Sequence, residues 1–224
     1  MKIIGHIYND FSSKFGIPRQ SGIVDSLTSV IVLEPEFRNP DVYRGMEGYS
    51  HIWLLWKFSE AQKESWSPTV RPPKLGGNTK IGVFASRSPY RPNPIGLSSV
   101  RIERIESQTS DGPLLYVTGA DLMNSTPIYD IKPYLPYTDS HPDALGGYAQ
   151  APDKNTLCVT FPEELLLQIP VHLRAGIIAL LEQDPRPGYQ TEPNRIYGLS
   201  FGGFDIGFSV KDKHLTVLFL TPLR

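Results

Sequence analysis

The 224-residue chain is poor in the residues that mark the commonest catalytic and structural frameworks. Its single cysteine, Cys158, excludes an internal disulfide framework and a thiolate zinc site. A lone thiol of this kind usually packs as a small apolar side chain, so Cys158 is expected in a core. There is no G-x-G-x-x-G after a strand and no G-x-x-x-x-G-K-[ST], so the usual dinucleotide and phosphate-loop signals are missing. Five histidines occur without an H-E-x-x-H, and no G-x-S-x-G elbow is present. Neither a metal nor a serine nucleophile is expected. Long apolar runs are also absent. Ile52–Trp56 and Ile177–Leu181 are far too short to span a bilayer. Lys2-Ile3-Ile4 is interrupted at once by Gly5 and His6, unlike a signal segment. These features fit a cytoplasmic protein with no membrane partner. Net charge is −1, which argues against a uniformly basic nucleic-acid coat.

What is present is concentrated. Ser86-Arg87-Ser88-Pro89-Tyr90-Arg91-Pro92-Asn93-Pro94-Ile95-Gly96-Leu97-Ser98 packs two arginines and three prolines into one run. Each proline fixes φ and restricts the residue before it, so the backbone is largely pre-set. Two guanidiniums on such a frame make a fixed donor array suited to a carboxylate, a phosphate or a nucleotide. From Arg71 to Arg104 there are seven basic residues and one acid, Glu103, enough to attract a polyanion locally. Two further polar clusters stand out. Pro18-Arg19-Gln20-Ser21-Gly22 is a rigid-then-flexible loop. In Asp121–Tyr134 a polar turn leads into Ile128–Tyr134. If that segment is extended, Asp130, Lys132 and Tyr134 share one face, giving an acceptor, a cation and a phenol on one wall. His51 is expected to be a core or edge-strand histidine.

The first 135 residues read as short strands between Pro/Gly-rich loops: Ile3–Tyr8, Ser26–Leu33, His51–Phe58, Ile81–Phe84, Gly96–Ile105, Leu114–Ala120 and Ile128–Ile131. Many short strands at close spacing favour a barrel or sandwich over a doubly wound sheet. Residues 139–154 are rich in Pro, Gly and Asp and form the expected linker. Beyond it, Pro162-Glu163-Glu164-Leu165 looks like a helix start. Leu173, Ile177, Leu180 and Leu181 recur at helical spacing. Phe204–Val210 and Leu215–Leu220 read as a hairpin. The fold class is mainly β: a small barrel over residues 1–138, followed by a small α+β domain over 155–224.

Taken in order, Pro18-Arg19-Gln20, Tyr49-Ser50-His51-Ile52-Trp53, Arg71-Pro72-Pro73 with Gly76-Gly77-Asn78, Arg87–Ser98 and Asp130-Ile131-Lys132-Pro133-Tyr134 resemble the TsaA-like family. Its members are tRNA methyltransferases acting on threonylcarbamoyl-adenosine next to the anticodon. Asp184-Pro185-Arg186-Pro187-Gly188-Tyr189, Arg195-Ile196-Tyr197-Gly198 and Phe204-Asp205-Ile206 resemble the C-terminal domain of its bacterial members. The resemblance implies a small non-Rossmann β-barrel enzyme that binds S-adenosylmethionine, recognises a tRNA anticodon loop and works as a homodimer. It puts cofactor contacts on Pro18, Arg19 and Gln20, on Ser59 and Glu60, on Arg87 and Leu97, and on Asn124, Ser125, Thr126 and Pro127. Two positions depart from the family pattern, which usually has His at Ser59 and Asp-Gly at Asn124-Ser125. Those departures favour the alternative, a non-catalytic RNA-binding barrel that has weakened or lost its cofactor. A nucleotide hydrolase using the arginines for phosphates is the remaining rival.

Methyl transfer to the delocalised N6 nitrogen requires an acceptor that holds its N–H and turns its lone pair toward the methyl group. Asp130 or Tyr134 is the expected orienting group. Arg91 or Lys132 is expected on the substrate carboxylate, Arg87 on the cofactor, and Tyr90 beneath the base.

Overall fold

Short runs rich in Val, Ile, Leu and aromatics, each bounded by Pro or Gly, pair here into a closed sheet. The computed structural model describes residues 1–60, 66–150, 156–186, 192 and 195–223. In chain order the first strands are β1 (Gly5–Tyr8), β2 (Thr28–Leu33), β3 (His51–Lys57), β4 (Thr69–Val70), β5 (Ile81–Gly82), β6 (Ile95–Glu106), β7 (Leu114–Thr118) and β8 (Thr126–Pro133). Six of them close a barrel in the order β1-β2-β7-β6-β3-β8, with β8 returning to β1. All its pairings are antiparallel. Closure leaves no unpaired edge in this barrel among the described residues.

Alternation sorts the side chains. On β3, Ile52, Leu54 and Trp56 point into the core with Ile7, Ile31, Val100, Leu115 and Ile128. His51 is exposed, on the outer face of a strand paired on both sides. It is therefore neither a core nor an edge histidine, because the period of two gives the interior to Ile52. On β6 the alternation fails after Ile102. A register shift there leaves Glu103 without a cross-strand partner, the signature of a bulge. The expected strand at Ile81–Phe84 stops at Gly82, since Val83–Ala85 turns in 3₁₀ geometry.

After the barrel come a one-turn helix α1 (Pro136–Asp139) and an irregular stretch, of which residues 151–155 lie outside the described residues. There follow β9 (Cys158–Thr160), α2 (Glu163–Leu166), α3 (Val171–Glu182), β10 (Tyr197–Phe201), β11 (Phe204–Lys211) and β12 (His214–Pro222). The sheet runs β10-β11-β12-β9, with β9 parallel to β12. Leu173, Ile177, Leu180 and Leu181 of α3 pack on Leu199, Phe201, Ile206, Phe208, Leu215 and Val217. Cys158 is exposed rather than buried. Alternation along β9 sends Val159 toward the core and Cys158 away from it.

The connection between β1 and β2 belongs to this second core. Phe11, Val24 and Leu27 are buried in it, and the Phe11 ring lies 5.6 Å from that of Phe201. At Gly16 the loop turns with φ +89°, and a Cβ built there would lie 1.9 Å from Leu199 Cδ1. Only glycine lets the chain pass so close in this conformation. The Pro18-Arg19-Gln20 loop is thus seated on the C-terminal part while it reaches toward the barrel.

Candidate cofactor-binding and active site

The rigid loop foreseen at Ser86–Ser98 is a succession of tight turns. Ser86 Oγ donates to the Val83 carbonyl (2.8 Å), and the Arg91 amide to the Pro89 carbonyl (2.9 Å). The Ile95 amide donates to the Asn93 carbonyl (2.8 Å), after which the Phe58 amide caps the Pro94 carbonyl at 3.0 Å. Hydroxyl-to-backbone bonds of this kind fix loops without regular structure. Prolines 89, 92 and 94 need no amide partner and cost no further freedom.

This loop walls a cavity of about 640 Å³. Pro18, Arg19 and Gln20 close it from the β1–β2 connection, and Arg87, Arg91 and Leu97 from the proline loop. Gln20 Oε1 accepts from Arg87 Nη1, which ties the two loops together. Trp56, Phe58 and Phe84 add aromatic surface. Trp56 and Phe58 are 4.2 Å apart between ring centroids, and the Arg91 guanidinium sits 5.9 Å from the Phe84 ring. Gly96 makes room for this arrangement, since a Cβ there would lie 2.1 Å from Trp56 Cε2.

One carboxylate faces the cavity among its lining residues, that of Asp121. Trp56 Nε1 donates to Ser98 Oγ (2.9 Å), and Ser98 Oγ donates to Asp121 Oδ1 (2.5 Å). Burial pushes the Asp121 carboxyl above its ordinary range, opposed by the Ser98 hydrogen bond and the nearby Arg87 charge. Asp121, Ser98, Trp56, Phe58 and Phe84 were given no role from the sequence. Trp56, Phe58, Ser98 and Asp121 lie on or just after β3, β6 and β7, neighbours in the barrel but distant in sequence, while Phe84 follows β5 of the two-stranded sheet.

The other expected residues lie elsewhere. Ser59 and Glu60 follow Phe58 at the end of β3 but do not line the cavity, and the Glu60 carbonyl accepts from Lys14 Nζ. Asn124–Pro127 forms the turn into β8 and also lies off the cavity lining. Asn124 Oδ1 accepts from the Asn9 amide (3.0 Å), the Ser125 amide donates to the Ile7 carbonyl (2.8 Å), and Ser125 has φ +63°. Thr126 and Pro127 are buried. This turn binds the start of β8 to the end of β1.

Asp130, Lys132 and Tyr134 do share a wall, on the outer surface of the barrel. Asp130 and Lys132 form an ion pair at 2.9 Å, and the Tyr134 ring lies 5.5 Å from that of Trp53. Register relates this wall to the cavity. Leu97 on β6 stands opposite Leu55 on β3, which stands opposite Asp130 on β8. Leu97 and Asp130 are therefore two strand spacings apart, roughly 10 Å. Tyr90 is 41% exposed and does not line the cavity. In the tail motif, Arg186 Nε and Nη2 donate to the two Asp184 oxygens, each at 2.7 Å. Pro187, Gly188 and Tyr189 lie outside the described residues. No group of three or more His, Cys, Asp or Glu is placed to hold a metal among the described residues. No helix among them is long and apolar enough to cross a membrane.

The cavity combines guanidiniums, one half-buried carboxylate and flat aromatic surface on a closed barrel. That donor set fits a nucleoside bearing a zwitterionic tail, as S-adenosylmethionine does, and defines a barrel protein that binds such a ligand outside the Rossmann framework. The tRNA-methyltransferase O N-terminal domain pattern matches residues 6–140, and the TrmO C-terminal domain pattern matches residues 155–223. The chain belongs to this family. It is similar to the Escherichia coli K12 tRNA (adenine(37)-N6)-methyltransferase, 38% identical over 227 residues that cover 98% of this chain and 96% of that one. A Pyrococcus abyssi protein named "Probable S-adenosyl-L-methionine-binding protein" is 33% identical over 147 residues, 66% of this chain and 74% of its own. The crystal structure of TrmO from Pseudomonas aeruginosa superposes with a TM-score of 0.78 at 33% identity, covering 98% of this chain and 95% of the other.

Proposed function

We propose that this protein is an S-adenosylmethionine-dependent tRNA methyltransferase acting on N6 of adenine 37 in its threonylcarbamoyl form. The carrying observation is the convergence of Pro18, Arg19, Gln20, Arg87, Arg91 and Leu97 on one cavity from two loops distant in sequence. The near end-to-end match to an enzyme named for methylation of adenine 37 supports the substrate. The same match favours the enzyme over a barrel that only binds RNA.

The cofactor supplies an electrophilic methyl group on sulfur. Everything else falls to the protein. Its aromatic surface, formed by Trp56, Phe58 and Phe84, stacks a base and excludes water. Arg87, held by Gln20, serves the cofactor side. Arg91, farther along the same loop, or Lys132 serves the substrate carboxylate. Asp130 or Tyr134 accepts the N6 proton's hydrogen bond and aims the lone pair. The outer wall of β8 lies about two strands from Leu97, so a splayed anticodon-loop base fits between wall and cavity. Domains at 1–138 and 155–224 joined by 139–154, a homodimer and a cytoplasmic location complete the proposal. The seating of the β1–β2 connection in the second core supports a role for the C-terminal domain in shaping the cofactor loop.

Mass analysis of tRNA nucleosides from cells with and without the gene tests the reaction. Loss of the methylated threonylcarbamoyl-adenosine is expected on deletion, and an unchanged level refutes the substrate. Single-turnover transfer by Asp130→Ala and Tyr134→Phe tests the wall. At least one should fall about a hundredfold, and full rates in both would remove the orienting assignment.

A further inference from the structure

The cavity lining carries both charge signs. Arg87 lies within electrostatic reach of Asp121, the one acid among the lining residues. An α-amino acid carries an ammonium and a carboxylate a few ångströms apart, and an anion and a cation lining the same cavity suit its two ends. We propose that Asp121 and Arg87 together hold the amino-acid end of S-adenosylmethionine, the Asp121 carboxylate taking the α-ammonium and the Arg87 guanidinium the α-carboxylate.

Both groups are pre-positioned. Ser98, itself 1% exposed and fixed by Trp56 Nε1, donates to one oxygen of Asp121. A carboxylate accepts about four hydrogen bonds, so capacity remains for an ammonium. Arg87 gives one N–H group to Gln20, and a guanidinium carries five such donors. A half-buried acid in a cavity lined by arginines has an alternative duty as their counter-charge. Against that duty alone, its hydrogen bonds among the described residues come from Ser98 and from backbone amides including that of Ser21. The aromatic side of the cavity then falls to the adenine.

This inference rests on the cofactor assignment, and the experiment separates the two. Calorimetry would measure the affinity of the parent and Asp121→Asn proteins for three ligands. These are S-adenosylmethionine, S-adenosylhomocysteine, which lacks the sulfonium charge, and 5′-methylthioadenosine, which lacks the amino-acid end. The expected result is a loss of roughly ten- to a hundredfold for the first two, the effect of losing a charge-assisted hydrogen bond, with 5′-methylthioadenosine unchanged. Equal losses for all three would make Asp121 a structural support. A loss for S-adenosylmethionine alone would place it on the sulfonium, and no loss would remove it from the site. Each outcome overturns the proposal. A parent protein that bound none of the three would remove the cofactor assignment itself. Should Asp121→Asn not fold, Arg87→Gln read against the same ligands carries the test, with the same pattern expected.

Discussion

Replacing Gly16 by alanine probes whether the cofactor loop depends on the C-terminal core. Two costs add. The backbone has φ +89°, a left-handed conformation that costs an L-residue about 1–2 kcal/mol. The new methyl group would lie 1.9 Å from Leu199 Cδ1, where an unstrained contact needs ~3.5–4.0 Å. Leu199 is 1% exposed and has nowhere to swing, so the overpacking adds about 1–3 kcal/mol. The sum, roughly 2–5 kcal/mol, corresponds to a fall in melting temperature of about 4–20 °C for a chain of this size. Part of the strain should instead be relieved by lifting the loop, which carries Arg19 and Gln20 into the cavity. Calorimetric melting and S-adenosylmethionine titration should therefore fall together, although Gly16 itself does not line that cavity. The control is Gly48→Ala, whose Cβ meets nothing within 4 Å and which should change neither. In a double-mutant cycle, Leu199→Ala should recover about 1–3 kcal/mol of the Gly16→Ala loss, the overpacking part alone. A Gly16→Ala protein that melts with its parent, or a cycle with no coupling, would refute the argument.

Gly96→Ala should be costly inside the site. Its Cβ would meet the Trp56 indole at 2.1 Å and force the Nε1–Ser98 bond open, a loss of about 2–4 kcal/mol that Trp56→Phe should partly rescue in urea unfolding. Asp121→Asn should separate stability from binding. The folded carboxyl titrates above its unfolded value because of burial, so the native state holds its proton longer and stability falls as pH rises across that window. The variant should gain relative to its parent over the same window in pH-dependent melts of the ligand-free protein. Asp139 behaves in the opposite sense. The Leu135 amide and Trp53 Nε1 hold its carboxyl below the ordinary range, so its contribution is present above about pH 4 and is lost as acid protonates the folded form. Asp139→Asn should flatten the acid limb of the melting profile, and an unchanged limb would remove that role.

Much of the barrel was legible because its strands obey simple rules. Ile52, Leu54 and Trp56 alternate with exposed or half-buried partners, and Thr28–Leu33 and Leu114–Thr118 are dense in β-branched and apolar residues. The helix at Val171–Glu182 was visible in the spacing of Leu173, Ile177, Leu180 and Leu181. Harder to see were Thr69–Val70, Cys158–Thr160 and Tyr197–Phe201, short strands defined by their partners rather than by their own pattern. Cys158 was misplaced for that reason, since a three-residue strand carries too little alternation to show which face is wet. On the site, the two arginines of the stiff Ser86–Ser98 loop stand out in the sequence, whereas Arg19, Gln20 and Leu97 come from the family resemblance; the structure lines one cavity with all of them. Asp121 did not stand out, because an aspartate at the end of a strand looks like a turn residue until Ser98, Trp56 and Arg87 are seen around it.

The sequence by itself determined the β-rich class, the stiff cationic loop and the family, because proline, arginine and strand periodicity act locally and leave local marks. Only the tertiary structure decided three other matters. Barrel closure put Leu97, Leu55 and Asp130 in one row across three strands. The β1–β2 connection was drawn into the second core through Phe11, Val24 and Leu27. One half-buried acid was brought into the same cavity as an arginine 34 residues before it in the chain. Each depends on register and packing between segments distant in sequence, which no local pattern encodes.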